Sequence, residues 1–348
     1  MADLHQVLAN LSAKLSYTEG HSIAIYDDQT LAYSTGEGKA RVNPDVAMTS
    51  LIRMDVLSMS KTVTAAGVVR ALLHHGLTPH ERIGPHLPDY WTVDQQVAHL
   101  TFAHILTHSG GLVGDQSDFF QVQSVCASPP AGTVGVVSYQ NFNYSLLRVL
   151  LGYLYKGTHL NDVGQHPAQR PQLSELSASA YCENIQTMIL QPSGVMDATI
   201  GPPTTTPDQA EWFSDNHDHL GDQHDPTNAL LTCGADRWNM SVRDYGLFIA
   251  HLTHGHLNPN PWPTMRDTRA PGASATLPGY PTGDARLGVW RFQDPGGTHS
   301  YYGHNGGWSD AFSGWMAFHS GATVAFFANS TLVGDEQEKM ILDSWLAA

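Results

Sequence analysis

Strand-like runs lie at the two ends of this 348-residue chain and are missing from its middle. Near the start, Ser22-Ile23-Ala24-Ile25-Tyr26 and Thr30-Leu31-Ala32-Tyr33-Ser34 flank the turn residues Asp27 and Asp28. Near the end come Leu287–Phe292, Ser313–Phe318 and Thr323–Ala328. Between them the text is helical or loop-rich. An apolar run with three- and four-residue spacing opens at Val56 and stops at Gly76, Leu146–Leu154 is almost wholly apolar, Tyr181–Leu190 reads as a helix, and another begins at Ser241 and runs to Leu252. The polar stretch from Gly157 to Pro171 and the proline-rich passages at Gly84–Trp91 and Asn258–Pro263 read as irregular structure. A sheet whose strands come from both ends must bring those ends together. The expected fold class is therefore α/β (α+β): one antiparallel sheet flanked by terminal helices, with a mainly helical domain inserted. Residues 1–77 and 285–348 form the sheet domain in this reading and 78–284 the insertion, with a cleft at the junction.

Charge and cysteine content narrow the partners. A net charge of −15 is unsuited to nucleic acid or to an anionic membrane surface. No run approaches the roughly 18 apolar residues of a membrane span. Three cysteines, Cys126, Cys182 and Cys233, cannot all pair within the chain, and their spacing suggests no zinc site. Leu4, Val7, Leu8, Leu11 and Leu15 describe an amphipathic helix rather than an export signal, so a cytoplasmic location is expected.

Three short patterns carry chemistry. Ser58 and Lys61 sit three residues apart at the start of the helix that ends at Gly76, so both side chains leave one face beside the helix N-terminus. A serine hydroxyl becomes nucleophilic when a neighbour takes its proton, and a lysine held neutral part of the time can do so. The plain alternative is an N-cap serine and a solvated lysine. Next, Tyr139 and Asn141 are separated by one residue just before the apolar Leu146–Leu154 helix, and in an extended or turn backbone they project to one side. Last, Tyr302-Gly303-His304-Asn305-Gly306-Gly307-Trp308 places glycines beside polar groups between two late strands, where a backbone N–H near Gly307 can serve an oxyanion. Other polar groupings read as structural. His104 and His108, four apart on a short helix capped near Thr101, suit capping or packing better than metal. Asp215, Asn216, His217, Asp218, His219, Asp222, His224 and Asp225 lack periodic order and read as a solvated loop.

Taken in order, Ser58-x-x-Lys61, Tyr139-x-Asn141 and His304-x-Gly306 resemble the motifs of the serine beta-lactamase and penicillin-binding-protein-like superfamily, specifically its class C branch with its esterases, D-aminopeptidases and DD-peptidases. Leu106–Leu112, Gln191–Met196 and Ser241–Tyr245 look like further segments of that family. The resemblance implies that Ser58 attacks a carbonyl, that Lys61 and Tyr139 handle its proton, that Asn141, His304 and Gly306 contact substrate, and that the backbone N–H groups of Ser58 and Gly307 form the oxyanion hole. It implies no cofactor and no metal.

One departure bears on substrate. Class C beta-lactamases carry lysine where this chain has His304, and neutral imidazole is a weaker anchor for a beta-lactam carboxylate. The expected substrate is thus a small ester or amide, with a carboxylesterase-like serine hydrolase the leading expectation. D-amino-acid peptide or amide cleavage, weak beta-lactam hydrolysis, acyl transfer, or a catalytically silent binding protein on the same fold are the alternatives. Gly307-Trp308-Ser309-Asp310-Ala311 comes near the alpha/beta-hydrolase elbow but is not followed by the required acid and histidine. The oligomeric state is not legible.

Overall fold

The computed structural model describes residues 2–202, 208–214, 217–222, 228–272, 276–277, 280–294, 296–331 and 337–348. Its main sheet has nine strands, all antiparallel, drawn from both ends of the chain. From edge to edge they are Val46–Ala47, Thr30–Arg41, Gly20–Asp27, Ala322–Ala328, Ala311–Ala317, Ser300–Trp308, Val289–Gln293, Tyr280–Arg286 and Thr276–Leu277. The first and last thirds of the sequence meet at the centre, where Ala24 faces Ala325 and Ile25 faces Val324. The sheet takes in Thr276–Leu277 and Tyr280–Arg286, upstream of residue 285.

Both faces of this sheet are covered, and the two-residue side-chain period sorts them. Ile23, Ile25, Phe312, Met316, Val324 and Phe326 pack with Val7, Leu11 and Leu15 of the Leu4–Leu15 helix and with Met340, Ile341 and Trp345 of Gln337–Leu346. Trp345 stacks on Phe318 at 3.7 Å between ring centroids. On the other face Ala24, Tyr26, Trp315, Ala325 and Phe327 join the larger core. There the Val242–Thr253 helix lies on the sheet, with the Tyr26 hydroxyl donating to the carbonyl of Arg243.

At the heart of that larger core is the Ser60–His74 helix, buried at every residue from Ser60 through Leu72. Its apolar residues pack on every side, and its buried polar residues Lys61, Thr62, Thr64 and Arg70 each bond a backbone carbonyl of another segment. The α-helix begins at Ser60 rather than Ser58; residues Leu57–Met59 form a short 3-10 turn leading into it.

Other elements differ from expectation in instructive ways. Gly157–Pro171 is not a loop throughout, because the Phe142 helix continues to Gln165 past a non-helical Lys156, burying Leu160 and Val163. Two buried apolar positions suffice to hold the added turns, but they are too few to mark a helix in polar text. The Tyr181–Leu190 segment is the end of a longer helix, Leu173–Ile185, followed by a π turn at Gln186–Leu190. A short helix, Trp262–Asp267, occupies the end of the second proline-rich passage. Outside the main sheet there are also strands of two to four residues, among them Arg53–Asp55, which pairs with Trp238–Ser241, itself paired with Thr199–Ile200. Runs so short show no periodicity. No helix among the described residues is long and apolar enough to cross a membrane.

Candidate active site

Ser58 is half-buried between the fully enclosed Leu57 and Met59. One helical turn on, Lys61 has no exposed surface, and its ammonium donates to Ser58 Oγ at 3.0 Å and to the carbonyl of Ala235 at 2.9 Å. A buried ammonium persists only when its protons have partners. Ser58 and Ala235 supply two, and the nitrogen lies 4.9 Å from the centre of the Tyr139 ring and 5.7 Å from that of Tyr144.

The two tyrosines differ in what their hydroxyls can do. Tyr144 is fully buried and donates to the carbonyl of Leu106 at 3.0 Å, and burial pushes its phenol well above the ordinary value. Tyr139 is 43% exposed. It rests on His108, whose ring centre is 4.5 Å away. His108 is itself held, since the Gln140 backbone N–H and Asn143 Nδ2 each stand 3.2 Å from Nδ1, making that nitrogen the acceptor. Burial, with help from Lys61 and His304, lowers the His108 pKa well below the usual imidazole value.

His304 completes this wall from below. It is 1% exposed, stacks on Trp290 at 5.7 Å, and its Nδ1 donates to the Asn305 carbonyl at 2.5 Å. Burial, and then the Lys61 charge, push its pKa down to about 3, so it is neutral across the physiological range. The histidine expected to touch substrate is buried beside Lys61, while Gly307 and Trp308 on the same strand are exposed.

Gly306, on that same strand, is tightly packed. A Cβ there would stand 2.5 Å from Ser313 Oγ, 2.7 Å from Leu57 Cβ and 3.0 Å from the Ser58 amide nitrogen. Only glycine lets the strand approach the serine so closely. Gly307, next along, is exposed and paired in register with Phe312. Asn141, partly exposed, donates from Nδ2 to Asp115 Oδ1 at 2.8 Å. The three sequence patterns therefore converge: Tyr139 on Lys61, Gly306 on Ser58, and Asn141 on the adjoining rim.

Sequence reading missed the polar groups behind this cluster. Asp55 is 4% exposed; its Oδ1 accepts from the Leu57 N–H at 2.7 Å, and the Arg237 N–H is a second donor to the carboxyl. Burial and the nearby Asp236 raise the Asp55 pKa to about 7. Asp236, 8% exposed, is raised by burial and accepts from Gln116 Nε2. An acidic residue inside the apolar Met54–Leu57 run was a signal for Asp55; nothing local marks Asp236.

The competing groupings take structural roles. The ring Nδ1 of His104 accepts from the Thr101 N–H at 3.2 Å, closing a capping box. His217 and His219 pair with Glu19 and Glu211, while Asp215, Asn216, His224 and Asp225 lie outside the described residues. No group of three or more metal-ligating side chains occurs among the described residues. Ser309 sits in the turn between two antiparallel strands and donates to Asp310, so it is on no strand-to-helix elbow.

A mixed fold with a large antiparallel sheet, an inserted helical region and a lysine-paired serine at their junction defines a serine hydrolase of the beta-lactamase/transpeptidase type. The chain belongs to the Beta-lactamase family, whose match spans residues 8–343. Among solved structures it is similar to a beta-lactamase/D-alanine carboxypeptidase from Pseudomonas syringae, at TM-score 0.74 and 16% identity over 97% of this chain and 98% of that one. A class C beta-lactamase from Rhodobacter sphaeroides gives 0.71 and 13% over 99% of both. A D-stereospecific amidohydrolase from a Streptomyces species gives 0.67 and 17% over 99% and 98%. At these identities the likeness shows the fold alone. No curated protein matches the sequence.

Proposed function

We propose that this protein hydrolyses small, neutral carboxylic esters through an acyl-enzyme on Ser58. The observation that carries the reading is the 3.0 Å contact from the buried Lys61 ammonium to Ser58 Oγ. In this mechanism the serine oxygen attacks the ester carbonyl as its proton passes to the basic member of the Lys61–Tyr139 pair, either the lysine as free amine or the tyrosine as phenolate beside the ammonium. The Ser58 and Gly307 N–H groups hold the developing oxyanion. The alcohol leaves with a proton returned from that pair, and water, activated the same way, releases the acid. Of the two tyrosines, Tyr139 takes this role because the Tyr144 hydroxyl is committed to Leu106.

Ester is preferred over beta-lactam because the position that would anchor a carboxylate carries a buried, neutral imidazole. Exposed Val113, Tyr139 and Trp308, on segments beside Asn141, Lys61 and Gly307, offer an apolar rim to a hydrophobic acyl or alkoxy group. One observation favours a second reading. Asp115, exposed and fixed by Asn141, presents a carboxylate suited to the ammonium of an amino-acid amide. Hydrolysis of a short-chain p-nitrophenyl ester, a D-alanyl anilide and a chromogenic cephalosporin by wild type and Ser58→Ala ranks these readings. Ester turnover lost in the variant supports the first, and anilide preference the second. If wild type is inert on all three, or the variant is equally active, the acyl-enzyme reading fails.

A further inference from the structure

We propose that Asp55 is a positioning residue for the Ser58–Lys61 pair, its buried carboxyl holding two left-handed residues, Leu57 and Arg237, that fix the serine on one side and the lysine's carbonyl partner on the other. The inference rests on the acyl-enzyme reading of Ser58. Five non-glycine residues among those described have positive φ, and three of them, Leu57 (55°), His108 (56°) and Arg237 (81°), border this site. Such backbone persists where the surroundings impose it, and it gathers at functional sites.

Leu57 immediately precedes Ser58. Its side chain is buried beside Gly306, and its left-handed turn leaves Ser58 half-exposed between two enclosed neighbours. The group that meets its N–H is Asp55 Oδ1, at 2.7 Å. Arg237 ends the short segment whose carbonyls receive the helix: Gly234 O accepts from Thr64 Oγ1 at 2.7 Å and Ala235 O from Lys61 Nζ at 2.9 Å. Its N–H also goes to the Asp55 carboxyl. Around this link Val56 N–H donates to Trp238 O at 2.8 Å and Trp238 N–H to Ser60 Oγ at 3.2 Å. Asp55 is therefore the side chain shared by both strained turns. A buried carboxyl next to a second acid, Asp236, is a poor stabiliser, so its presence calls for a positional reason.

Labelling by a fluorophosphonate probe tests this without a known substrate, with the maximal rate (kinact) and apparent affinity (KI) followed for wild type, Asp55→Ala, Asp55→Asn, Leu57→Gly, the Asp55→Ala/Leu57→Gly double variant and Ser58→Ala. The expected result is an Asp55→Ala kinact lower by about 100-fold with KI within about 3-fold. Asparagine keeps an acceptor oxygen for Leu57, so Asp55→Asn retains most of the rate. Glycine takes the left-handed conformation unaided, so the double variant labels at least about 5-fold faster than Asp55→Ala. A merely structural Asp55 gives no such recovery. Wild-type labelling by Asp55→Ala, or a double variant no faster than it, overturns the proposal. If Asp55→Ala does not fold, Asp55→Asn decides: a folded Asp55→Asn slowed by about 100-fold overturns it. Labelling that survives Ser58→Ala refutes the acyl-enzyme reading instead, a separate outcome.

Discussion

The Lys61 ammonium is suspended between Ser58 Oγ and the carbonyl of Ala235, at 3.0 and 2.9 Å, with no surface open to water. One bond points at the reacting atom and the other anchors the lysine to a loop 174 residues away in sequence. Lys61→Met keeps the buried volume but removes both bonds. Acylation is expected to fall by about 10²–10⁴-fold, the usual contribution of a positioned acid–base group. Circular dichroism separates this from unfolding.

Gly306 and Gly307 are neighbours with opposite tolerances. Gly306→Ala forces a methyl to within 2.5 Å of Ser313 Oγ and 3.0 Å of the Ser58 nitrogen, whereas the nearest atom to a Cβ at Gly307 is Gln337 Nε2 at 3.5 Å. Overpacking should cost Gly306→Ala about 1–3 kcal/mol, seen as a lowered melting temperature together with lost activity. Gly307→Ala should melt close to wild type.

Replacing each tyrosine hydroxyl should separate catalysis from stability. Tyr144→Phe removes one of two donors to the buried Leu106 carbonyl, which keeps the Gly288 N–H, and is expected to cost about 0.5–1.5 kcal/mol of stability, with kcat little changed. Tyr139→Phe, at a 43% exposed site, should melt like wild type and lose kcat. Urea denaturation and steady-state kinetics on both variants check the pair.

His304 predicts an acid sensitivity. Its pKa falls from 6.5 to about 3 on folding because burial, then Lys61, disfavour the imidazolium. Below pH 6.5 the unfolded chain binds a proton that the native state refuses. The stabilisation present above 6.5 is therefore lost as pH falls toward 3. Between pH 7.5 and 4.5 this amounts to about 3 kcal/mol. Asp55, whose pKa is raised to about 7, acts in the opposite sense between its unfolded value and 7, but it is common to wild type and variant. Urea titrations at both pH values should show His304→Gln losing about 3 kcal/mol less than wild type on acidification.

Asp115 distinguishes the two substrate readings. If an amino-acid amide is bound through its ammonium, Asp115→Asn should raise KM for a D-alanyl anilide by about 2–5-fold, the reach of an exposed ion pair. Neutral ester hydrolysis should be unaffected. An equal effect on both substrates would remove the second reading.

Much of the architecture was written locally. Ile23 and Ile25 alternate with Ala24 and Tyr26, so a two-faced central strand could be inferred from residue types alone, and the helical spacing from Val63 to Leu72 announced the buried core helix. The turns at 157–165 escaped notice because Leu160 and Val163 are apolar points in polar text, buried only by what they meet. Ser58 and Lys61 were legible as a pair because one helical turn fixes their spacing. Asp236 and the Ala235 carbonyl were not, because nothing near them in sequence requires a partner.

By itself, then, the sequence determined the long periodic elements, the joining of both chain ends in one sheet, and the residue types able to do acyl chemistry, since each follows from periodicity and local spacing. Tertiary structure decided which of them meet and in what state. Lys61 finds its second acceptor across 174 residues, His304 is held neutral beneath Trp290, and Asp55 is placed between two left-handed turns. Those outcomes depend on burial and on partners brought from distant segments, which is where charge state and strain are set.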